Sequence, residues 1–491
     1  MKIVIANSIG IDKNGCYMIH SPSRWSEGVK NKYHWFAYYP WELAYLSSLL
    51  KKETKHRVKF LDGCLERLNF PAYYKRILQE KPDFLIMESA TILIEENLAL
   101  CLLIKKILHT KLIFVGQHAS VFSAQLLDAG VDYVCIGEYE YSVLEIIQGK
   151  KQKDILGLYP NKRRKLLNIN SLSWPEDNDV SRIAYGMPGE PSSEYLEVQM
   201  YASRGCMMSC NFCVASNVYY RQPNWRAREV KDIVNEIKYL KKKYPQMQGI
   251  FFDEECHTGE KKFILDLSKA IIASGLNNLH YEAMCDLRFL DADVLQAIKD
   301  AGYYKIRVGI ETKSSKVMSG IGKFIDLNLI YQKLALAKKN GLKTYGTFTF
   351  GALGSDSRED KQTIKLIKEL ISAGLLDNLQ LSICTPQPGT PFYETVKQSN
   401  FLRKNLSFRD YDGGNFALVD YPNYNHQAIE KMKRKALLVR DHYFLRAKLQ
   451  NKNFWQWISS IYQRYGIKGL LIKAVIRFLS EVKYQAGKWF V

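Results

Sequence analysis

Three cysteines fall within eight residues, at Cys206, Cys210 and Cys213 in the segment SRGCMMSCNFCVAS. The spacing is C-x3-C-x2-C, directly after an apolar run, Leu196–Ala202, that reads as a buried strand. Thiolates this close in sequence can converge on one metal centre, so the fold must deliver the loop to a strand end with room beside it. Structural zinc usually takes four protein ligands, and no second CxxC or paired histidine lies nearby. Four-iron clusters are held by thiolates, and three of them leave one iron open to another ligand. The plain alternative is three packing cysteines.

The other seven of the ten cysteines are scattered, which is no disulfide scaffold in 491 residues. The N-terminus, MKIVIANSIGIDKNGC, has no charged stretch followed by a long apolar one, so no secretory signal is expected. No run of about 18 uncharged apolar residues occurs, so no spanning helix is expected. Cytoplasm is the expected compartment.

Residues 1–150 alternate short apolar runs with helical stretches. The strand candidates are Lys2–Ala6, Val58–Leu61, Phe84–Glu88, Leu112–Gly116 and Tyr133–Ile136, with helices such as Trp41–Lys52 and Glu95–Leu108 between them. Runs without polar alternation fit strands buried on both faces, and repeated strand–helix units imply a parallel, doubly wound (Rossmann-like) sheet. Such sheets bind ligands at the carboxyl ends of their strands. Residues 151–193 are rich in Pro, Gly, Ser and charge and read as a surface linker.

Alternation resumes in residues 194–400 with longer units. Strands are expected at Leu196–Ala202, Gly249–Asp253, Leu279–Cys285, Lys305–Gly309, Lys343–Phe350 and Asn378–Cys384. Helices are expected between them, including Val230–Lys243, Phe263–Ser274, Ala292–Ala301, Leu327–Asn340 and Asp360–Ala373. Six such units suggest a partial (β/α)6 barrel with its active site at the strand carboxyl ends. The fold class is therefore α/β, with a mostly helical region at 401–491.

The formal charge of +20 is uneven. Residues 1–150 hold 18 basic and 16 acidic residues, whereas residues 401–491 hold 17 and 6. Nucleic acid is thus not the favoured partner, despite the overall sign. The basic excess sits around IKGLLIKAVIRFL, where Lys468, Lys473 and Arg477 interrupt aliphatics and Trp455, Trp457 and Trp489 flank them. A basic amphipathic helix with tryptophans can lie on an anionic membrane surface, which would suit a lipid substrate. The plainer reading is a helix packed on the barrel with its lysines in water.

With Phe212 ahead of its last cysteine, the loop resembles that of the radical S-adenosylmethionine (SAM) superfamily. The resemblance implies that Cys206, Cys210 and Cys213 hold a 4Fe–4S cluster whose open iron chelates SAM. It continues through Phe251, Phe252, Asp253 and Glu254, where the family carries an acidic pair, and through CDLRFLDADVLQAIKDAGYYKIRVGIET. Arg288 and Glu311 would there clamp the amino and carboxylate groups of SAM, or form a structural salt bridge. In GTFTFGALGSDSRED, Gly351 and Gly354 would let backbone approach the adenosine, and CTPQPGTPFYE resembles the turn after strand six.

The N-terminal region lacks G-x-G-x-x-G, so a dinucleotide is not favoured. WELAYLSSLLKKE, VKFLDG and LIFVGQHASVFSAQLLDAGVDYVCIGEYE resemble the cobalamin-binding domain of one large radical SAM class. Asp62, Gly116, His118, Gly137 and Glu138 are the implied cobalamin residues. The signature D-x-H-x-x-G is broken, with Cys64 in place of the histidine and Arg67 in place of the glycine. A protein histidine at that position is therefore not the lower cobalt ligand.

Together the two cofactors imply radical C-methylation of an unactivated carbon, with a flavodoxin or ferredoxin as external electron donor. The alternative is a non-methylating radical oxidation or cyclisation similar to anaerobic magnesium-protoporphyrin monomethyl ester cyclase. A methylthiotransferase acting on RNA is less favoured, because a second cysteine trio is missing from residues 1–150.

Overall fold

The computed structural model describes residues 1–10, 37–186, 194–221, 224–412 and 414–449, the backbone at 19–21 and 25–27, and isolated positions beyond 458. The first sheet comprises β1 (Lys2–Asn7), β2 (Arg57–Leu61), β3 (Phe84–Glu88), β4 (Lys111–Val115) and β5 (Tyr133–Val134). All neighbours are parallel, in the order β2-β1-β3-β4-β5. This is a doubly wound order, with its switch point between β1 and β3. Ile86, Ile113 and Leu112 are fully buried, as both-face covering by helices requires.

The second sheet is the barrel. Its strands are β6 (Glu197–Met200), β7 (Gly249–Phe252), β8 (His280–Cys285), β9 (Tyr303–Glu311), β10 (Lys343–Phe350) and β11 (Asn378–Ile383). They pair in parallel in chain order from β6 to β11. Six parallel strands in sequence, each followed by a helix on the outside, make the open barrel expected from the alternation. The floor is charged. Arg307 and Lys305 both pair with Glu282, and Tyr304 donates to Glu197 at 2.8 Å and to Glu282 at 3.0 Å.

The linker departs from the expected surface course. Arg182 is buried, 2.6 Å from Glu236 on the first barrel helix (Val230–Lys243), and donates to the Gln199 carbonyl on β6. Glu176 accepts from Ser47, Asp179 accepts from Lys59 and Phe60 N–H, and Tyr185 donates to Asp62. The segment is wedged between the two sheets, because its Asp, Glu and Arg satisfy groups that both sheets bury. Composition reports polarity but not which polar residues find long-range partners.

Within 401–449 the chain is irregular up to a helix, His426–Leu449, that packs against Ser357–Ser372 and the end of β10. Among the described residues no helix is long and apolar enough to cross a membrane. Trp455, Trp457, Trp489, Lys468, Lys473 and Arg477 lie outside the described residues.

Candidate active site

The cysteine loop leaves the carboxyl end of β6 through a turn that only glycine fits. Gly205 has φ +87°, and a Cβ there would stand 1.5 Å from the Asn224 carbonyl oxygen. Glu254, buried at the end of β7, fixes the approach to that turn. It accepts from Ala202 N–H at 2.5 Å, Ser203 hydroxyl at 3.0 Å and pairs with His257 at 2.6 Å. Behind the loop, Asn217 Nδ2 donates to the Cys210 and Cys213 carbonyls, and Asn224 N–H to that of Cys206.

Cys206, Cys210 and Cys213 line one cavity of about 330 Å³ in the barrel mouth. Its walls carry Phe212, Asp253, Glu254 and Glu311 from the expected set, and Asp286, Arg307 and Lys323 besides. Among the described residues no three His, Cys, Asp or Glu groups converge on a single ion. Three thiols on one loop, with no fourth protein ligand found, match the ligand count of a four-iron cluster with one open iron rather than that of a structural zinc. Burial pushes the Cys210 thiol up to about 12, so an incoming cationic iron has to displace its proton.

Arg288 and Glu311, expected together at SAM, are each engaged by another side chain. Arg288 is held at 2.8 and 2.6 Å by the two oxygens of Asp286, two residues away. Glu311 faces Lys323 at 3.1 Å, and both are buried. Burial opposes the Lys323 charge, but Glu311 and Cys210 more than restore it. Glu311 has φ +66°, a left-handed conformation at a strand end where the register with β10 also shifts. Such strain in a non-glycine residue concentrates at functional sites. Lys323 lies in a loop without a motif, and nothing in the sequence marked it.

Gly351 and Gly354 are not among the residues that line the cavity. Gly351 (φ +71°) packs against Ile429 of the C-terminal helix, and its N–H donates to Asp360. A Cβ on Gly354 (φ +89°) would meet the Lys316 carbonyl. Both glycines serve the turn after β10.

Arg307 was also missed. Its guanidinium lies 4.5 Å from the Phe251 ring centroid and 4.8 Å from that of Tyr345, and donates to Glu282. Stacking between two rings holds an arginine flat in the lumen.

At the carboxyl ends of the first sheet, most of the expected residues are already engaged by protein. Asp62 accepts from Asn7, Tyr185, Cys64 N–H and Leu65 N–H. Glu138 accepts from Arg204, Arg226 and Leu167 N–H. The space above Gly137 is filled by Arg163, and that above Gly116 by Glu88. His118 packs against Phe122 and Phe408, 3.3 Å from the Thr91 hydroxyl, and burial pulls its pKa down to about 3. Buried oxygens without a partner remain at Asn7 Oδ1 and Glu88 Oε1, the last residues of β1 and β3, and at Gln117 Oε1, just after β4. Gln117 belongs to the Gly116-Gln117-His118 turn of the matched segment, whereas Asn7 and Glu88 are not among the implied cobalamin residues. Gln117 Nε2 also reaches Gln387 Oε1 of the barrel cavity at 3.3 Å.

Residues 200–367, which carry the three-cysteine loop and most of the open parallel barrel, match the radical SAM superfamily. Radical SAM domains hold a 4Fe–4S cluster and SAM. Along 91% of its length the chain is 27% identical to an uncharacterized methyltransferase of Pyrococcus horikoshii, covering 94% of that protein. The fold of nearly the whole chain (98%) is shared with OxsB, a cobalamin-dependent SAM radical enzyme, with TM-score 0.69, 13% identity and 71% of that chain covered. The radical SAM methyltransferase TsrM of Kitasatospora setae aligns over 84% of this chain and 81% of its own, with TM-score 0.61 and 15% identity.

Proposed function

We propose that this chain is a cobalamin-dependent radical SAM methyltransferase acting on an unactivated carbon of a small molecule. The observation that carries the reading is the Gln117–Gln387 hydrogen bond, which joins the carboxyl end of β4 to the rim of the barrel cavity. The ligand edge of a doubly wound sheet and the mouth of a three-cysteine barrel thus open toward each other.

Cys206, Cys210 and Cys213 would hold the cluster, and Glu311 with Lys323 offers opposite charges to the amino and carboxylate groups of SAM. Asn7, Glu88 and Gln117 would bind cobalamin through their open oxygens. When bound, cluster and SAM supply a carbon-centred radical and cobalamin supplies a methyl group. Arg307, fixed between Phe251 and Tyr345, offers a cation deep in the lumen. The acidic walls (Asp253, Glu254, Asp286, Glu311) favour the positive sulfonium. Arginine and lysine in the same cavity leave room for an anionic substrate group.

The test is anaerobic. Reconstituted protein is given hydroxocobalamin, a reductant and methyl-labelled SAM, and both corrin and products are analysed. Label in the corrin and then in product is expected. A product formed together with 5′-deoxyadenosine but without the labelled methyl overturns methylation in favour of radical oxidation. Cys210→Ala should lose iron loading and SAM cleavage together.

A further inference from the structure

Behind the cysteine loop, on the outer surface, five cations meet. Lys162, Arg163, Arg164 and Lys165 come from the linker, and Arg221 follows the helical turn Ala215–Tyr219. Arg163, Arg164, Lys165 and Arg221 border a surface recess of about 390 Å³ that also reaches Asn224, and Lys162 lines a neighbouring recess with Arg163, Arg164 and Lys165. Lys162, Lys165 and Arg221 are exposed. Arg164 is neutralised by Glu145. Among the described residues no carboxylate stands within ion-pair distance of the other four, and the charge of Arg221 adds to burial in opposing that of Arg163. An unpaired cluster of this size costs self-repulsion, so it needs a reason beyond stability.

Its position supplies one. Arg163 donates to the carbonyls of Val218 and Tyr219, immediately after the cysteine loop. Asn217 in the same turn holds the Cys210 and Cys213 carbonyls, and Asn224 N–H holds that of Cys206 at 2.7 Å. Arg163 is thus linked to the Cys210 and Cys213 carbonyls through the turn 217–219, by two hydrogen bonds and the backbone between them. None of the five cations is among the residues that line the barrel cavity. A partner seated on the patch would reach the cysteine loop without entering the substrate cavity.

We propose that Lys162, Arg163, Lys165 and Arg221 form the docking surface for a small acidic one-electron carrier of the flavodoxin type. This rests on reading the three-cysteine loop as a cluster site. The carrier gives up one electron from its reduced flavin, the four-iron centre gains it, and no bond is made or broken at the patch. Acidic carriers fit because the surface presents exposed cations without their own counter-charges, which steer association at low salt.

Binding of a purified flavodoxin is measured by fluorescence anisotropy on the iron-loaded chain across a salt series. Lys162→Glu/Lys165→Glu/Arg221→Glu is compared with Lys231→Glu/Lys238→Glu/Lys242→Glu, which makes the same charge change on an exposed helix face. The first variant should bind about ten-fold more weakly at low salt and lose most of its salt dependence, while the second stays near wild type. Bleaching of the cluster absorbance by dithionite should be equal in all three, and bleaching by reduced flavodoxin slower only in the first. Equal flavodoxin affinity in all three proteins overturns the proposal. So does bulk tRNA that binds the wild type more tightly than flavodoxin does and loses that binding in the first variant. A wild type that takes up no iron would instead sink the cluster reading, while flavodoxin binding to the iron-free chain still reports on the patch.

Discussion

Arg204 and Glu140 form a buried ion pair at 2.7 Å that ties the N-terminal sheet to the cysteine loop two residues ahead of Cys206. Glu138 stands 3.3 Å from the same Nη1, and the guanidinium lies 4.8 Å from the Tyr45 ring centroid. Arg204 therefore carries the position of one sheet into the metal-binding loop of the other. Replacing it with methionine leaves two buried carboxylates with less compensation. A loss of about 3–5 kcal/mol of stability is expected. Thermal unfolding of Arg204→Met should show it, together with lower iron per chain. Adding Glu140→Gln should recover part of both. A double variant no better than the single would mean that the pair is not the link.

Gly351 and Gly275 separate two costs of filling a left-handed position. Both have positive φ, but a Cβ at Gly275 meets nothing within 4 Å, whereas one at Gly351 stands 2.6 Å from Ile429 Cγ2. Gly275→Ala should lose about 1–2 kcal/mol from backbone conformation alone. Gly351→Ala should lose a further 1–3 kcal/mol or so from overpacking. Ile429→Ala in that background should remove the extra part, as read by denaturant unfolding of the set. Equal losses for the two alanine variants would show that the C-terminal helix does not press on this turn.

The alternation of apolar runs placed both sheets because strand burial on two faces leaves a local trace, and all eleven expected strands are present to within about two residues. The cysteine loop was legible for the same reason, since its spacing is local. Long-range pairing is not. Arg204 and Glu140 lie 64 positions apart, and neither sits in a pattern that distinguishes a buried charge from a solvated one. Arg288 was expected at SAM because it follows a strand end, yet Asp286, two residues before it, binds it first. Lys323 reached the cavity through a loop whose course depends on packing. The linker misled because its polar composition hides residues that are satisfied internally.

Cys256 offers a check on which thiols belong to the cluster. It lines the same cavity as Cys206, so proximity alone does not select the ligand set. The C-x3-C-x2-C loop requires Cys206, Cys210 and Cys213, whereas Cys256 is a neighbour at the end of β7. Cys256→Ala should therefore keep near wild-type iron and sulfide content after reconstitution. Cys206→Ala should fall to background. Iron loss in Cys256→Ala with retention in Cys206→Ala would reverse the assignment.

Asp360 gives the protein a pH dependence of predictable sign. Its carboxylate is buried in the turn after β10, accepting from Gly351 N–H at 3.1 Å, Ser355 hydroxyl at 3.2 Å and Tyr424 hydroxyl at 2.7 Å. Burial raises it to about 6, against the lowering effect of those hydrogen bonds. The folded chain thus holds a proton that the unfolded chain releases near pH 4. Stability from this group is complete below pH 4 and is lost as pH rises through about 6. The loss is about 2–3 kcal/mol. Asp360→Asn keeps an oxygen for Gly351 and Tyr424 and presents an amide to Ser355, so it should remove the loss. The stability of the variant relative to wild type, from urea unfolding at several pH values, should rise between pH 4 and 7. A difference that stays flat, or falls, across that range would mean that Asp360 is ionised throughout in the folded chain.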